Sequence, residues 1–125
     1  WNPTWIKFRG AVTLPQAVED PEEAAFRQQA LARCLIAYAS DMGLVSTAVL
    51  PHQASTNRSE IQMASLDHSL WIHRTAPLDE WLLFHKRTST AQSSRGMVHS
   101  EFFAESGALV ASMSQEGLLR KKRSD

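Results

Sequence analysis

The stretch that decides the fold is residues 20–42, which read DPEEAAFRQQALARCLIAYASDM. Asp20 suits the N-cap of a helix and Pro21 its first turn. Two acidic residues in that turn, Glu22 and Glu23, would be stabilised by the positive end of the helix dipole. Apolar or uncharged residues then recur every three or four positions, which predicts one long helix with a single face turned to a core. These are Ala24, Gln28, Leu31, Ala32, Leu35, Ile36 and Ala39. Asp41 breaks the pattern, and a second short helical piece is predicted from Leu44 to Leu50.

On either side of this helix the sequence alternates between apolar and polar residues with a period of two, which is typical of strands. A first strand is predicted at Trp5–Arg9, resuming at Ala11–Leu14 after a possible bulge at Gly10. A long strand is predicted from Ile61 to Arg74. Three more are predicted over residues 81–90, 96–104 and 108–119. One long helix and an antiparallel sheet predict an α+β domain in which the sheet wraps around the helix, the hotdog arrangement.

Composition limits the classes of protein to which the chain can belong. It has 125 residues, 43% hydrophobic and 21% charged, which accommodates one domain. Thirteen basic and thirteen acidic residues give a formal net charge of zero, so nucleic-acid binding is disfavoured. Its apolar runs are shorter than the roughly twenty residues of a membrane span, so none is predicted. The single cysteine, Cys34, is expected to be buried and inert, and a reducing, cytoplasmic location is expected. A peroxisomal location stays open, although the sequence does not end in Ser-Lys-Leu.

The two ends of the sequence raise further expectations. The chain begins at Trp1 rather than at a methionine, as a fragment or a processed product would. Residues 1–119 are expected to form one domain, and residues 120–125 a basic tail exposed to solvent. The tryptophans are expected to be core or subunit-interface anchors rather than a platform for stacking bases. They are Trp1, Trp5, Trp71 and Trp81.

Asp67-His68-Ser69 has the composition of a hydrolytic triad, but a catalytic role for these neighbours is disfavoured. Successive side chains on a strand point to opposite faces, so His68 could not contact both of its neighbours. All three are therefore interpreted as structural. The histidines show no spacing suited to shared metal ligation, and no metal site is predicted. They are His52, His68, His73, His85 and His99.

Three other polar residues are candidates for chemistry. Asp41 interrupts the helix beside its apolar face, Ser65 lies on the strand after the loop, and Gln115 lies on the last strand. A carboxylate, a hydroxyl and a carboxamide that converge at the mouth of a helix–sheet core could hold one water. The carboxylate would accept its proton and the other two groups would fix its orientation. The alternative for Asp41 is a purely structural role as a helix cap.

Five blocks of the sequence, taken in order, carry a resemblance to a known family. They are residues 37–44 (AYASDMGL), 65–73 (SLDHSLWIH), 79–84 (DEWLLF), 94–96 (SRG) and 115–120 (QEGLLR). Together they resemble the acyl-CoA thioesterase II (TesB-type) family. The resemblance runs from about Trp5 to Arg120 and covers the second of the two hotdog units that members of this family carry in tandem.

The resemblance implies hydrolysis of acyl-CoA thioesters to a free acid and coenzyme A by an activated water. No metal, no other cofactor and no covalent acyl-enzyme is implied. The catalytic Asp, Thr and Gln of the family fall on Asp41, Ser65 and Gln115. Position 65 departs from the family pattern, because Ser keeps the hydroxyl but lacks the methyl group that stiffens Thr.

The resemblance also implies a partner, because related sites lie between two hotdog units. That partner would be a second copy of this chain or a separate first unit. Two alternatives to the thioesterase stay open. One is a non-catalytic module that binds acyl-CoA or completes a dimer. The other, weaker one is a hydratase on the same fold, for which the sequence offers no His and Asp pair at a suitable helical spacing.

Overall fold

The computed structural model describes residues 1–9 and 19–122, which form two helices and six strands. The helices are α1 (Pro21–Ser40) and α2 (Leu44–Thr47). The strands are β1 (Asn2–Ile6), β2 (Ile61–Ser65), β3 (Ser69–Ile72), β4 (Leu82–Gln92), β5 (Arg95–Ala104) and β6 (Leu109–Lys121). Single 3-10 turns at Leu50–His52 and Arg58–Glu60 lie between α2 and β2.

All six strands belong to one antiparallel sheet in the order β1-β4-β5-β6-β2, with β3 also paired to β6. β2 and β3 share one edge of β6, since β2 pairs with its last residues and β3 with an earlier stretch. The three long strands are joined by short connections at residues 93–94 and 105–108, which fall close to the ends of the predicted strands. The α+β class and the antiparallel sheet are therefore confirmed.

The core lies between the sheet and the C-terminal half of α1. Phe84 of β4 and Phe102 of β5 are directly opposite each other, with ring centroids 4.3 Å apart. Ile36 and Ala39 of α1 pack into the same buried cluster. Asp20 accepts a hydrogen bond from the backbone N–H of Glu22, as expected for the N-cap. Every residue of the predicted apolar face of α1 is partly or fully buried.

Two glycines allow α2 to lie directly on the sheet. Gly96 of β5 and Gly117 of β6 are paired with each other. A Cβ atom at Gly117 would lie 2.4 Å from Cγ1 of Val45, and one at Gly96 would lie 2.5 Å from Cβ of Ala48. The absence of side chains at these two positions thus sets how closely α2 approaches β5 and β6. This contact places the α1–α2 turn beside the end of β2.

The strand predictions need three corrections. β1 spans Asn2–Ile6 rather than Trp5–Arg9, and the predicted continuation at residues 11–14 lies outside the described residues. The long strand predicted from Ile61 to Arg74 is two strands, because the chain leaves the ladder at residues 66–68. β6 continues to Lys121, so the first two residues of the predicted tail pair with β2.

The prediction that Cys34 is buried was wrong, and the tryptophans do not fill the first of their two predicted roles. Cys34 is exposed, because it lies two positions from both Ala32 and Ile36, about 200° around the helix from the buried face. The four tryptophans are between 47% and 86% exposed, so none is a core anchor within this chain. Their alternative role at a subunit interface stays a prediction.

Residues 21–52 are long and apolar enough, by length and composition alone, to be a candidate membrane span. The core helix of a folded domain passes the same test. The segment bends at the turn that begins with Asp41. Ile36 and Leu44, on either side of that turn, belong to the core described above. This packing favours the interpretation of the segment as core helices.

Candidate active site

Asp41 is held in the turn between the two helices. It is the C-cap of α1, where its backbone N–H donates to the carbonyl of Ala39. Gly43 follows with a φ of +67°, a left-handed conformation that favours glycine and redirects the chain into α2. The Asp41 side chain is therefore exposed at the mouth of the core, although it is adjacent to the fully buried Ser40.

Ser65 and Gln115 reach the same place from the sheet. Ser65 is the last residue of β2, where it is paired with Gly117 of β6. Gln115 lies two residues earlier on β6, and the period of the strand turns it towards the core together with Met113. Gln115 is 0% exposed, so its carboxamide requires hydrogen-bond partners inside the protein.

The structure brings the three predicted side chains together. Gln115 Nε2 donates to Asp41 Oδ1 at 2.9 Å and to Ser65 Oγ at 2.7 Å. Ser65 Oγ in turn donates to Asp41 Oδ1 at 3.4 Å. Both N–H groups of the carboxamide are thus used, and both contacts of the carboxylate fall on the same oxygen. The three side chains form a closed triangle of hydrogen bonds.

A fourth residue, His68, belongs to this network, and sequence reasoning missed it. Its Nδ1 contacts Oε1 of Gln115, and its Nε2 lies 2.8 Å from Oγ of Ser40. The prediction placed His68 on one continuous strand, facing away from its neighbours. In the structure it occupies the gap between β2 and β3 and points to the end of α1.

Asp67 explains why the strand is interrupted there. Its Oδ1 accepts a hydrogen bond from the backbone N–H of Glu116 at 2.8 Å. In an uninterrupted strand pair that N–H would donate to a backbone carbonyl instead. Aspartate side chains commonly compete with the backbone in this way. Asp67 therefore has the structural role that was predicted from the sequence, and it binds Glu116 rather than His68. The competition by Asp67 is the one sequence signal that could have predicted the break.

Asp41 and Ser65 line an open cleft of about 180 Å³. Its other lining residues are Gly43, Leu44, Val45, Ser46, Arg58, Met63 and Ala64. The cleft combines a carboxylate, two hydroxyls, an apolar wall and one cation, Arg58. Gln115 lies behind the two polar side chains rather than on the wall. Such an arrangement can hold a water against a carboxylate that accepts its proton.

The part of the chain that the structure describes contains no group of three or more His, Cys, Asp or Glu side chains placed to hold a metal ion. Three of the other histidines, His73, His85 and His99, make separate contacts on the sheet. His73 Nε2 lies 2.9 Å from Ser112 Oγ, and His85 Nδ1 lies 3.2 Å from a carboxylate oxygen of Glu101.

The sequence of this chain is similar to those of known proteins. A family model described as acyl-CoA thioesterase matches residues 3–118. Acyl-CoA thioesterase 2 from Haemophilus influenzae is 36% identical over 117 residues, which cover 94% of this chain and 36% of that protein. Acyl-coenzyme A thioesterase 8 from Mus musculus is 40% identical over 89 residues, which cover 71% of this chain and 27% of that protein. The chain thus spans about a third or less of the length of these relatives.

Solved structures show the same architecture. Acyl-CoA thioesterase II TesB2 from Mycobacterium marinum matches with a TM-score of 0.77 and 35% sequence identity, over 98% of this chain and 43% of that one. A DHNA-CoA thioesterase from Staphylococcus aureus, 20% identical, matches 98% of this chain and 75% of its own with a TM-score of 0.54. The second likeness concerns the fold alone. The predicted hotdog fold is confirmed.

Proposed function

The chain belongs to the acyl-CoA thioesterase family, and we propose that it hydrolyses acyl-CoA thioesters to a free acid and coenzyme A. The match covers only 36% of the Haemophilus influenzae relative, so the activity of that whole protein is a proposal for this chain. The observation that carries the proposal is the triangle of hydrogen bonds between Asp41, Ser65 and Gln115 at the edge of an open cleft.

In the proposed reaction Asp41 is the general base. Its Oδ1 is engaged by Gln115 and Ser65, so we assign the second oxygen, Oδ2, to the attacking water. As the water oxygen bonds to the thioester carbonyl carbon, its proton passes to Asp41. The tetrahedral intermediate then expels the coenzyme A thiolate, which takes that proton, and the acid is released. Backbone N–H donors would stabilise the negative oxygen of the intermediate.

Gln115 and Ser65 orient the water in this proposal, each in a different way. Both N–H groups of Gln115 already donate to the other two side chains, so Gln115 acts by holding them in place. Ser65 is at the cleft surface and can contact the water directly. A fixed base and a fixed hydroxyl lower the entropic cost of bringing water to the thioester.

We further propose a second hotdog unit as partner, which would cover the open side of the cleft. Asp41 and Ser65 are both exposed in this chain. The proposed hydrolysis, by contrast, would proceed best in a site that is shielded from bulk water. The Mycobacterium marinum thioesterase chain is more than twice as long as the part that matches this chain. The partner would be a second copy of this chain or a separate first unit.

The alternative is a non-catalytic module that binds acyl-CoA without turnover. Serine at position 65, in place of the threonine of the family pattern, is the feature that favours it. The Ser65 hydroxyl nevertheless makes the contacts that the mechanism requires of it, with Gln115 and with Asp41. For this reason we favour the enzyme over the binding module.

Thiol release from a series of acyl-CoA esters tests the proposal, with binding followed separately by calorimetry. The wild-type chain is expected to hydrolyse at least one chain length. Asp41→Asn should bind it with similar affinity and turn it over about a hundredfold more slowly. Wild-type protein that binds acyl-CoA but releases thiol no faster than Asp41→Asn would establish the binding module instead.

A further inference from the structure

We propose that His68 is a positioning residue that holds the carboxamide of Gln115 in the orientation that hydrolysis requires. The inference rests on the proposed function, because it assigns His68 a part in the same site. His68 does not line the cleft, so it acts through Gln115 rather than on the substrate.

The imidazole ring bridges two fully buried side chains. On one side Nδ1 meets Oε1 of Gln115, and on the other Nε2 lies 2.8 Å from Oγ of Ser40. Ser40 and Gln115 are both 0% exposed. Ser40 also lies one residue before Asp41, so the ring connects the end of α1 to β6. The network therefore runs from Ser40 through His68 and Gln115 to Asp41.

The direction of the hydrogen bonds defines what His68 does. A carboxamide oxygen only accepts, so Nδ1 of His68 must carry the proton. The oxygen and nitrogen of a carboxamide occupy nearly the same space, and its hydrogen bonds decide which way round it sits. The Nδ1–H donor fixes Oε1, and this turns both N–H groups of Gln115 towards Asp41 and Ser65.

Ser40 allows this donor to persist in both protonation states of the ring. With a neutral ring protonated on Nδ1, the hydroxyl of Ser40 donates to Nε2. With a doubly protonated ring, Nε2–H donates to Ser40 Oγ, and the hydroxyl donates to the carbonyl of Ala37 at 2.7 Å. Since the hydroxyl rotates to suit either case, Nδ1–H remains on Gln115.

A double-mutant cycle tests the inference. His68→Leu replaces the hydrogen-bond donor with an apolar side chain. It should lower kcat about fivefold or more, with little change in KM. His68→Asn should restore most of that loss, because Asn Nδ2 occupies the place of Nδ1. In a Gln115→Ala background, His68→Leu should have no further effect. His73→Leu is the matched control, with unchanged kcat expected.

Side-chain amide NMR gives a readout that does not depend on activity. The two N–H protons of Gln115 should exchange slowly with solvent in the wild type and in His68→Asn. In His68→Leu their exchange should be at least about tenfold faster. Unchanged exchange, a smaller fall in kcat, or an equal fall in both backgrounds would overturn the inference. If the wild type hydrolyses no acyl-CoA, the proposed function fails, and the NMR result alone decides the role of His68.

Discussion

At the scale of single residues, Gln115 organises the site. It is buried on β6, and its carboxamide oxygen and two N–H groups are matched by the side chains of His68, Asp41 and Ser65. Leaving any of these groups without a partner would cost about 1–3 kcal/mol. Gln115 thereby couples the stability of the domain to the geometry of the proposed base, Asp41.

Ser65 supplies the first prediction at this scale. Ser65→Ala removes the hydroxyl that contacts both Gln115 and Asp41, so kcat is expected to fall about tenfold or more while KM changes little. Ser65→Thr keeps the hydroxyl and adds the stiffening methyl group, so its kcat should equal or exceed that of the wild type. Steady-state thiol release measures both. Equal rates for Ser65→Ala and the wild type would show that the Ser65 hydroxyl has no part in catalysis.

The three side chains of the hydrogen-bonded triangle were predicted from the sequence, and the role of His68 was missed for a physical reason. Asp41, Ser65 and Gln115 interrupt apolar patterns, which makes each of them visible in the sequence. The role of His68 depends on a break in the strand that Asp67 creates by taking a backbone N–H of Glu116. That break forms only once β6 lies alongside, so periodicity alone assigned His68 to a regular strand face.

At the scale of secondary-structure elements, the contact between α2 and the sheet determines where the site forms. Gly117→Ala would place a methyl group 2.4 Å from Cγ1 of Val45, on a partly buried and branched side chain. We expect a loss of about 2 kcal/mol of stability, measured by urea unfolding. The double variant Gly117→Ala with Val45→Ala should recover part of that loss. Wild-type stability in Gly117→Ala would contradict this account of α2.

Lys86 on β4 gives a prediction about pH. It is only 4% exposed, its Nζ donates to Thr4 Oγ1 at 3.0 Å and lies 4.5 Å from the centre of the Phe84 ring. Within residues 1–9 and 19–122 it forms no ion pair. Burial therefore lowers the pKa of the Lys86 ammonium from its ordinary value of 10.5.

The sign of the pH effect follows from proton counts. Between the lowered pKa and 10.5 the unfolded chain binds more protons than the native one, so stability rises with pH through this range. Lys86→Met should thus stabilise the domain by about 1 kcal/mol at pH 7, with a smaller gain near pH 10. Urea unfolding at both pH values measures this, and the exposed Lys7→Met is the control. A gain that is the same at both pH values would show that burial of the charge is not its cause.

The elements were largely predictable, and their ends were less so. Asp20 and Pro21 placed the start of α1 correctly because capping is a local effect. The apolar face of α1 was also predicted, since helical periodicity records burial directly. The start of β1 and the end of β6 depend on their pairing with β4 and β2, which single-strand periodicity does not contain.

At the scale of the whole molecule, the exposed tryptophans indicate association. Trp1, Trp5, Trp71 and Trp81 are each about half exposed or more, which is a large apolar area for an isolated domain. We expect this chain to dimerise, or to pair with a separate first unit, through an interface above about 1,500 Å². Light scattering on the purified chain measures its mass. A stable monomer of 14.0 kDa that hydrolyses acyl-CoA would contradict the need for a second unit.

The proposed role of Asp41 as the base that activates water is tested by the pH dependence of kcat/KM for acyl-CoA hydrolysis. The account predicts one ionisation on the acidic side for the wild type, and about a hundredfold loss in folded Asp41→Asn. Asp67 is a carboxylate outside the triangle, so Asp67→Asn is the control. This variant should keep the wild-type pH profile once its rates are corrected for the fraction of folded protein. Near-normal hydrolysis by Asp41→Asn, with the acidic limb intact, would contradict the account.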